Sequence, residues 1–385
     1  MLLLALIMFS SFPCSLYGKY QELKLSDDLV NMDFDNITGN IFIGGKNVLL
    51  KLSPSLVVLS RTSTGPELDY IKCLGEGECA GQVANNTNKV LLIYYHNRTK
   101  RFLVTCGSIK HGECQLRNID SLKIESKKNS VVSNAPLPAV ALIAPWNKPV
   151  PQRRALYVGT SWDDKYTDCN SRDLAVLVKP SVSTRNIDGK NIFEFSANAP
   201  FDGYSFLQFT DADFNYRVKY IYGFSSGNFN YFVAVQETAE SFAKRFEPKV
   251  LKTFITRICQ QDIIYKFYVE LPLECKSRGR SFNIAQSGYL TKPGGWYYKS
   301  SSLQASDDVL VVTFFDSTTG WEVGPSQNSV ICLYPVKEIN RAMASEQQKC
   351  VNGTYEKRGL GLGLPWLAGG NEACGNKVCS DVMEQ

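Results

Sequence analysis

Histidine is nearly absent: His96 and His111 are the only two in 385 residues, both early in the chain. That scarcity removes most nucleophile–base pairs, because imidazole is the commonest general base near neutral pH. No C-x-x-C occurs either, so zinc-finger spacing cannot be written down. No run reaches the roughly 18 uninterrupted apolar residues that a membrane helix needs. A clustered basic stripe is also missing. The 42 Lys and Arg are scattered among 37 Asp and Glu, and the net charge of +5 is too dilute to mark a nucleic-acid surface. Amphipathic helix is scarce as well. Only Thr238 to Phe246 and Val336 to Gln348 read as helical, the second with Ile339, Ala342 and Met343 on one face. So little helix between apolar runs disfavours a βαβ architecture.

Strand chemistry fills the remainder. Tyr (19) and Phe (21) recur inside short β-branched runs bounded by Gly, Pro, Asn, Asp and Ser: NIFIGG, VLLKLS, LVVLSRT, KVLLIYY, RFLVTCGS, ALYVGTS, LAVLVKP, IFEFSA, YFVAVQE, TFITRICQ, YKFYVEL and DVLVVTFF. The chain therefore reads as all-β, a sandwich array, a barrel or a propeller. One unit recurs near 40–60, 90–116, 155–179, 219–236 and 309–335, the spacing that repeated four-stranded blades give.

The opening MLLLALIMFSSFPCSLYG has the length of a signal-peptide core and is too short to span a bilayer. Residues 1–18 are expected to be cleaved, taking Cys14 with them. Eleven cysteines then remain, an odd number, so that ten can pair in an oxidising compartment and the isolated Cys169 is the natural one left over. N-x-S/T sequences at Asn36, Asn85, Asn97 and Asn352 agree with a secreted fate and are candidate glycosylation sites.

Several stretches imitate catalytic or binding motifs. Gly223 to Gly227 matches G-x-S-x-G, but a strand follows where the nucleophile elbow requires a helix, and both histidines precede it. It reads as a hairpin turn. A secreted hydrolase using Ser225 is the enzyme-class alternative. Asp211 to Asn215 opens like a calcium loop, yet Tyr216 stands where glycine must turn the chain and Tyr222 where a bidentate glutamate is needed. Gly359, Gly361 and Gly363 lack the dinucleotide spacing and its flanking elements. The adjacent acids Asp163-Asp164 and Asp307-Asp308 would point to opposite faces of a strand and could not share a proton. No cofactor, no metal and no small-molecule substrate are expected, and the chain reads as a binding domain with no enzymatic activity.

CGSIKHGECQLRNID (Cys106 to Asp120) is similar to the cysteine-rich strand pair in the sema domains of plexins and of the hepatocyte-growth-factor receptor group. TGPELDYIKC before it resembles the plexin segment preceding the first disulfide. Tyr220 to Val235, Ile255 to Cys275, Val330 to Met343 and the later GLPWL follow in the family's order, so the resemblance covers residues from about 40 to 374. The chain thus resembles the plexin family. The resemblance implies a seven-bladed sema β-propeller over 19–385, incomplete because its last blades are missing. It also implies the pairs Cys73–Cys79, Cys106–Cys114, Cys275–Cys332 and Cys350–Cys374, with Cys259 joined to Cys379 and Cys169 without a counterpart.

The function implied is that of a semaphorin-receptor ectodomain fragment in cell-surface guidance signalling. Semaphorin is the expected partner, other sema-domain receptors are further candidates, and nucleic acid is not one. The parent protein would sit on the extracellular side of the plasma membrane, whereas the chain as given would be secreted. The alternatives are a soluble decoy or non-signalling sema protein, or a fragment of a growth-factor-receptor-type sema protein. Arg153, Arg154, Asp163, Asp164 and Lys165, in WNKPVPQRR and SWDDKY, are the candidate ligand contacts because they are expected at exposed blade edges.

Overall fold

A computed structural model describes residues 22–351 except 75–77, 98, 134–135, 147–152, 162–179, 197, 200–202, 205, 209–216, 239, 242–249, 263–264, 266–267, 301 and 318–327. Residues 1–18, expected to be a cleaved signal, Cys14, Cys169, Asp163, Asp164, Lys165, Asn352, Cys374, Cys379, the Asp211 to Asn215 segment and the glycines from 359 lie outside the described residues, as does most of the helix expected from Thr238.

Among the described residues, five antiparallel sheets of three or four strands follow one another along the chain. The first joins β1 (Leu29–Phe34), β2 (Ile41–Gly45), β3 (Val48–Leu52) and β4 (Val58–Ser63). A separate hairpin, β5 (Glu67–Leu74) and β6 (Glu78–Ala84), leads to the second sheet of β7 (Asn88–Tyr95), β8 (Arg101–Gly107), β9 (Cys114–Asn118) and β10 (Ile124–Lys128). The third takes β11 (Ala139–Pro145), β12 (Arg154–Thr160) and β13 (Pro180–Asn186). Beyond the small pair β14 (Asn198–Ala199) and β15 (Gly203–Tyr204), it adds β16 (Phe206–Gln208).

The fourth sheet is β17 (Val218–Ser226), β18 (Phe229–Glu237), β19 (Leu251–Cys259) and β20 (Val269–Pro272). After the hairpin β21 (Cys275–Ser277) and β22 (Arg280–Phe282), the fifth has β23 (Ile284–Thr291), β24 (Val309–Phe315) and β25 (Ser329–Pro335). A short helix α1 (Gly295–Ser300) lies between β23 and β24, and α2 (Val336–Val351) closes the described chain.

Side-chain alternation makes these sheets blades. Successive residues of a strand face opposite sides, and each blade buries its two sides against different neighbours. Phe42 and Leu49 of the first sheet pack with Leu91, Ile93 and Leu103 of the second. Val90, Phe102 and Val104 of that second sheet pack with Leu156 and Val158 of the third. Tyr157 and Val182 meet Phe232 and Ala234, and Tyr231, Val233 and Ile255 meet Leu310, Val312 and Phe314, with Val336, Ile339 and Met343 of α2 laid over them. Each residue fully buried in such a seam contributes about 1.5–3 kcal/mol. Apolar side chains stay bare where no neighbouring sheet is described, as with Met32 (71% exposed) on β1 and Tyr289 (66%), Ile331 and Leu333 on the fifth sheet.

Two of the expected strands differ, and a third lies almost wholly outside the described residues. IFEFSA forms no strand, only the single bridge Phe195–Arg185, because Phe193 takes a left-handed φ of 66° and turns inward as a fully buried plug of the second core. YKFYVEL shortens to β20, with Tyr265 also left-handed at φ 57°. Of LAVLVKP only Pro180, the first residue of β13, is described.

One glycine is indispensable to the hairpin closed by Cys106 and Cys114. Gly112 has φ +88°, and a Cβ there would lie 1.7 Å from the carbonyl oxygen of Val132. That carbon would displace the Gly112 carbonyl, which accepts from the N–H groups of Val131 and Val132.

Candidate partner-binding edge

The inner strands β1, β7 and β11 end at one edge of the array, where their first turns gather a polar surface. Asp35, just past β1, is almost fully buried. It accepts hydrogen bonds from the Thr38 hydroxyl, the Arg101 guanidinium and, at 3.2 Å each, the Ile37 N–H and the Tyr95 hydroxyl. Burial opposes its ionisation, but the bonds from Thr38, Arg101 and Ile37 outweigh it and keep the carboxyl below its ordinary pKa.

One residue earlier on β7, Tyr94 points the other way. Its hydroxyl donates to Asp188 Oδ2 at 2.6 Å, and His96 Nδ1 lies 2.9 Å from Asp188 Oδ1. Burial first, then Asp188, raises the Tyr94 phenol well above its usual range, while the charge of Arg154 opposes this. Arg154 therefore stands beside the seam between the second and third blades.

Of the candidate ligand contacts, Arg153 and Arg154 are described, and both are exposed at the start of β12. The Arg153 guanidinium lies 4.1 Å from the ring centroid of buried Trp146, a cation–π contact that holds the charge at the rim. An aromatic-backed arginine next to a strand, as Arg153 is to β12, is the type of group that anchors protein interfaces. Sequence reasoning chose the arginines by exposure alone and missed Tyr94, His96 and Asp188, whose separation along the chain hides their contact.

The motif lookalikes occupy ordinary structural positions. Gly223 to Gly227 forms the end of β17 and its hairpin turn, with Gly227 at φ +58°. Ser225 Oγ receives a hydrogen bond from Gln260 Nε2 at 3.0 Å, and both histidines belong to the second-blade region. Asp307 pairs with Lys337 at 2.9 Å and Asp308 with Lys292 at 2.6 Å, so each carboxylate has its own cation. Among the described residues no three metal-ligating side chains cluster, and no helix is long and apolar enough to cross a membrane.

The cysteines fasten the blades. Cys106–Cys114 bridges β8 to β9, and Cys275–Cys332 ties β21 to β25. Cys259, at the end of β19, is disulfide-bonded to a partner whose side chain is outside the described set. Cys73 and Cys79 stand opposite each other in the register of β5 and β6, and Cys350 lies in the last turn of α2.

An array of sheets joined face to face in this way is the arrangement of a β-propeller. No protein-family profile matches the sequence, but individual proteins do. The chain is 30% identical to human Plexin-A3 over 363 residues, covering 90% of this chain and 18% of that protein. It is 29% identical over 369 residues to Plexin-A4 of Danio rerio, covering 89% of this chain and 18% of that one. The solved structure of the full extracellular region of Plexin A4 superposes with a TM-score of 0.68 at 25% identity, over 85% of this chain and 36% of that one. Drosophila Semaphorin 2a shares the fold, with a TM-score of 0.55 at 15% identity over 84% of this chain and 52% of that one. Within that class, the chain is similar to the extracellular region of plexins, and it spans less than one-fifth of the length of the curated relatives it matches.

Proposed function

We propose that this region is the ligand-recognising propeller of a plexin-type cell-surface receptor and that its ligand is a semaphorin. The observation that carries the reading is the match to plexin-A proteins along 90% of the chain, together with the superposition on a plexin extracellular region. Residues 1–18 act as a cleaved secretory signal and 19–385 as sema-domain sequence, which places the parent protein's propeller outside the cell. Recognition is protein on protein and uses no chemistry. Arg153 and Arg154, fixed at the start of β12 and backed in the case of Arg153 by Trp146, are its candidate contacts; Asp163, Asp164 and Lys165 complete the set.

The test is surface-immobilised binding of the secreted chain to a panel of purified semaphorin ectodomains. Saturable binding to at least one member, weakened about tenfold or more by Arg153→Glu with Arg154→Glu, is the expected result. Absence of saturable binding to every member rejects semaphorin recognition by this chain, while binding unaffected by the double substitution moves the contact elsewhere. Retention of binding by a Ser225→Ala variant separates this role from any hydrolase reading of that serine.

A further inference from the structure

Many of the chain's cations sit against a carboxylate. Around the fifth sheet, Lys292 meets Asp308 at 2.6 Å, Lys337 meets Asp307 at 2.9 Å, and Arg341 of α2 meets Glu338 at 2.6 Å. The β21–β22 hairpin departs from that rule. Lys276, Arg278 and Arg280 are all exposed in the stretch KSRGRS, and neither arginine side chain has an ion-pair or hydrogen-bond partner among the described residues.

Lys252, exposed on β19, is the fourth cation, and it too has no ion-pair partner among the described residues. The next residue, Thr253, donates its N–H to the Asn283 carbonyl and accepts at its own carbonyl from the Leu273 N–H, both at 2.9 Å, which brings β19 alongside the base of the hairpin. Lys252 thus joins the others only through the fold. Among the described residues the acid that answers this group is Glu274, which accepts from the Ser281 hydroxyl and lies 3.2 Å from Lys276. Those two contacts, the hydroxyl first, hold its carboxyl below the ordinary pKa against the effect of burial, and the charge of Lys252 adds to them.

The hairpin is firmly mounted. Cys275 and Phe282 stand opposite each other in its register and are buried in the core between the fourth and fifth sheets, and Cys275 is bridged to Cys332 of β25. The Tyr334 hydroxyl also donates to the Glu274 carbonyl at 2.9 Å. Arg278 and Gly279 form the tip with left-handed φ of 49° and 76°, the two-residue turn that matches the twist of paired strands. A Cβ on Gly279 would meet nothing within 4 Å, so the tip stands clear of the described chain.

We propose that this hairpin is a docking site for a sulfated polysaccharide of the glycosaminoglycan class. Each guanidinium presents a planar fork of N–H donors that matches an oxyanion such as sulfate. One exposed ion pair is worth little in water, so the ligand must be a polymer that offers several charges at once. The residues at 276–281 are Lys, Ser, Arg, Gly, Arg and Ser, with no apolar side chain. A lipid surface requires apolar anchors, and so does the core of a protein interface. A sugar chain held by charge and hydrogen bonds requires none. The choice of an extracellular polyanion rests on the secretory reading above, and the site is separate from Arg153 and Arg154 at β12.

The test is binding of the whole secreted chain to immobilised heparin at physiological ionic strength. Saturable binding is expected, and it should be lost on chemically desulfated heparin. Arg278→Asn with Arg280→Gln should weaken it about tenfold or more; asparagine suits the left-handed backbone at the first position. Lys123→Ala with Lys190→Ala removes the same charge from exposed sites elsewhere and should change binding by less than about twofold. Absence of binding to heparin, or equal weakening by both pairs, overturns the proposal. A response to poly-glutamate, duplex DNA or phosphatidylserine vesicles as strong as that to heparin does so too, since each is a different class of partner. No semaphorin enters the assay, so its failure leaves the receptor reading standing.

Discussion

Tyr94 and Tyr95 share a peptide bond but serve different blades: the Tyr94 hydroxyl donates to Asp188 of the third at 2.6 Å, and the Tyr95 hydroxyl to Asp35 of the first at 3.2 Å. The strand alternation that hides one side of β7 in each core thus also aims one phenol into each seam. Replacing either by phenylalanine keeps the ring and removes a hydrogen bond to a carboxylate, so Tyr94→Phe and Tyr95→Phe should each cost about 1–2 kcal/mol. Urea unfolding of each variant, followed by tryptophan fluorescence, measures this; a cost near zero would show that the seam is sealed by apolar packing alone.

Glu270 is expected to make stability depend on pH. Buried on β20 of the fourth blade, it accepts from Gln236 Nε2 and the Tyr268 hydroxyl, both at 3.1 Å on the same oxygen. Burial pushes its pKa from an ordinary 4.5 up to about 7, against the smaller opposing effect of those two bonds. The folded value lies above the unfolded one, so the stabilising contribution is complete below pH 4.5 and is lost as pH rises through 7. Glu270→Gln keeps an acceptor for both donors and should be more stable than the parent by about 2–3 kcal/mol at pH 8. The advantage should vanish near pH 4.5, as denaturant midpoints across that range will show.

Helix α2 is fastened to the fourth blade by a polar clamp as well as its apolar face. Arg257 lies 4.4 Å from the Phe229 ring centroid and donates at 2.9 Å to both Asn340 Oδ1 and Gln347 Oε1, while the Tyr231 hydroxyl donates to Asn340 Oδ1 at 2.7 Å. Arg257→Ala should cost about 2–4 kcal/mol and speed amide exchange in α2 by tenfold or more. Exchange unchanged in that helix would assign its docking to Val336, Ile339 and Met343 alone.

Removing the two described disulfides should have unequal effects. Cys275–Cys332 closes a separation of 57 residues and Cys106–Cys114 one of 8, for which unfolded-chain entropy gives about 4 and about 2.5 kcal/mol. Paired Cys→Ser variants compared by thermal unfolding test the order; equal losses would point to native packing around the sulfurs as the dominant contribution.

Four of the five recurring units read from the sequence fall within sheets, and the third does so over its described part, because blade strands such as KVLLIYY and YFVAVQE are apolar on both sides and stand out against their turns. Outer strands were hidden. β10 is IESKK, with lysines at its exposed edge, and carries no apolar alternation to detect. IFEFSA misled for the opposite reason, since Phe193 is buried by a turn that no periodicity encodes. The edge surface was half legible. Arg153 and Arg154 are conspicuous in sequence, but the Trp146 ring beneath the first and the Tyr94 phenol that feels the charge of the second depend on tertiary pairing.

For β7, sequence distance and energetic distance run in opposite directions. Substitutions at Tyr94 and Tyr95 fall in separate seams and should sum in a double-mutant cycle despite being adjacent, whereas Tyr94 and Asp188, 94 positions apart, should show a clear interaction energy. Compensating changes in such a chain are therefore to be sought across a seam, in the blade that a side chain faces, and not among its neighbours along the strand.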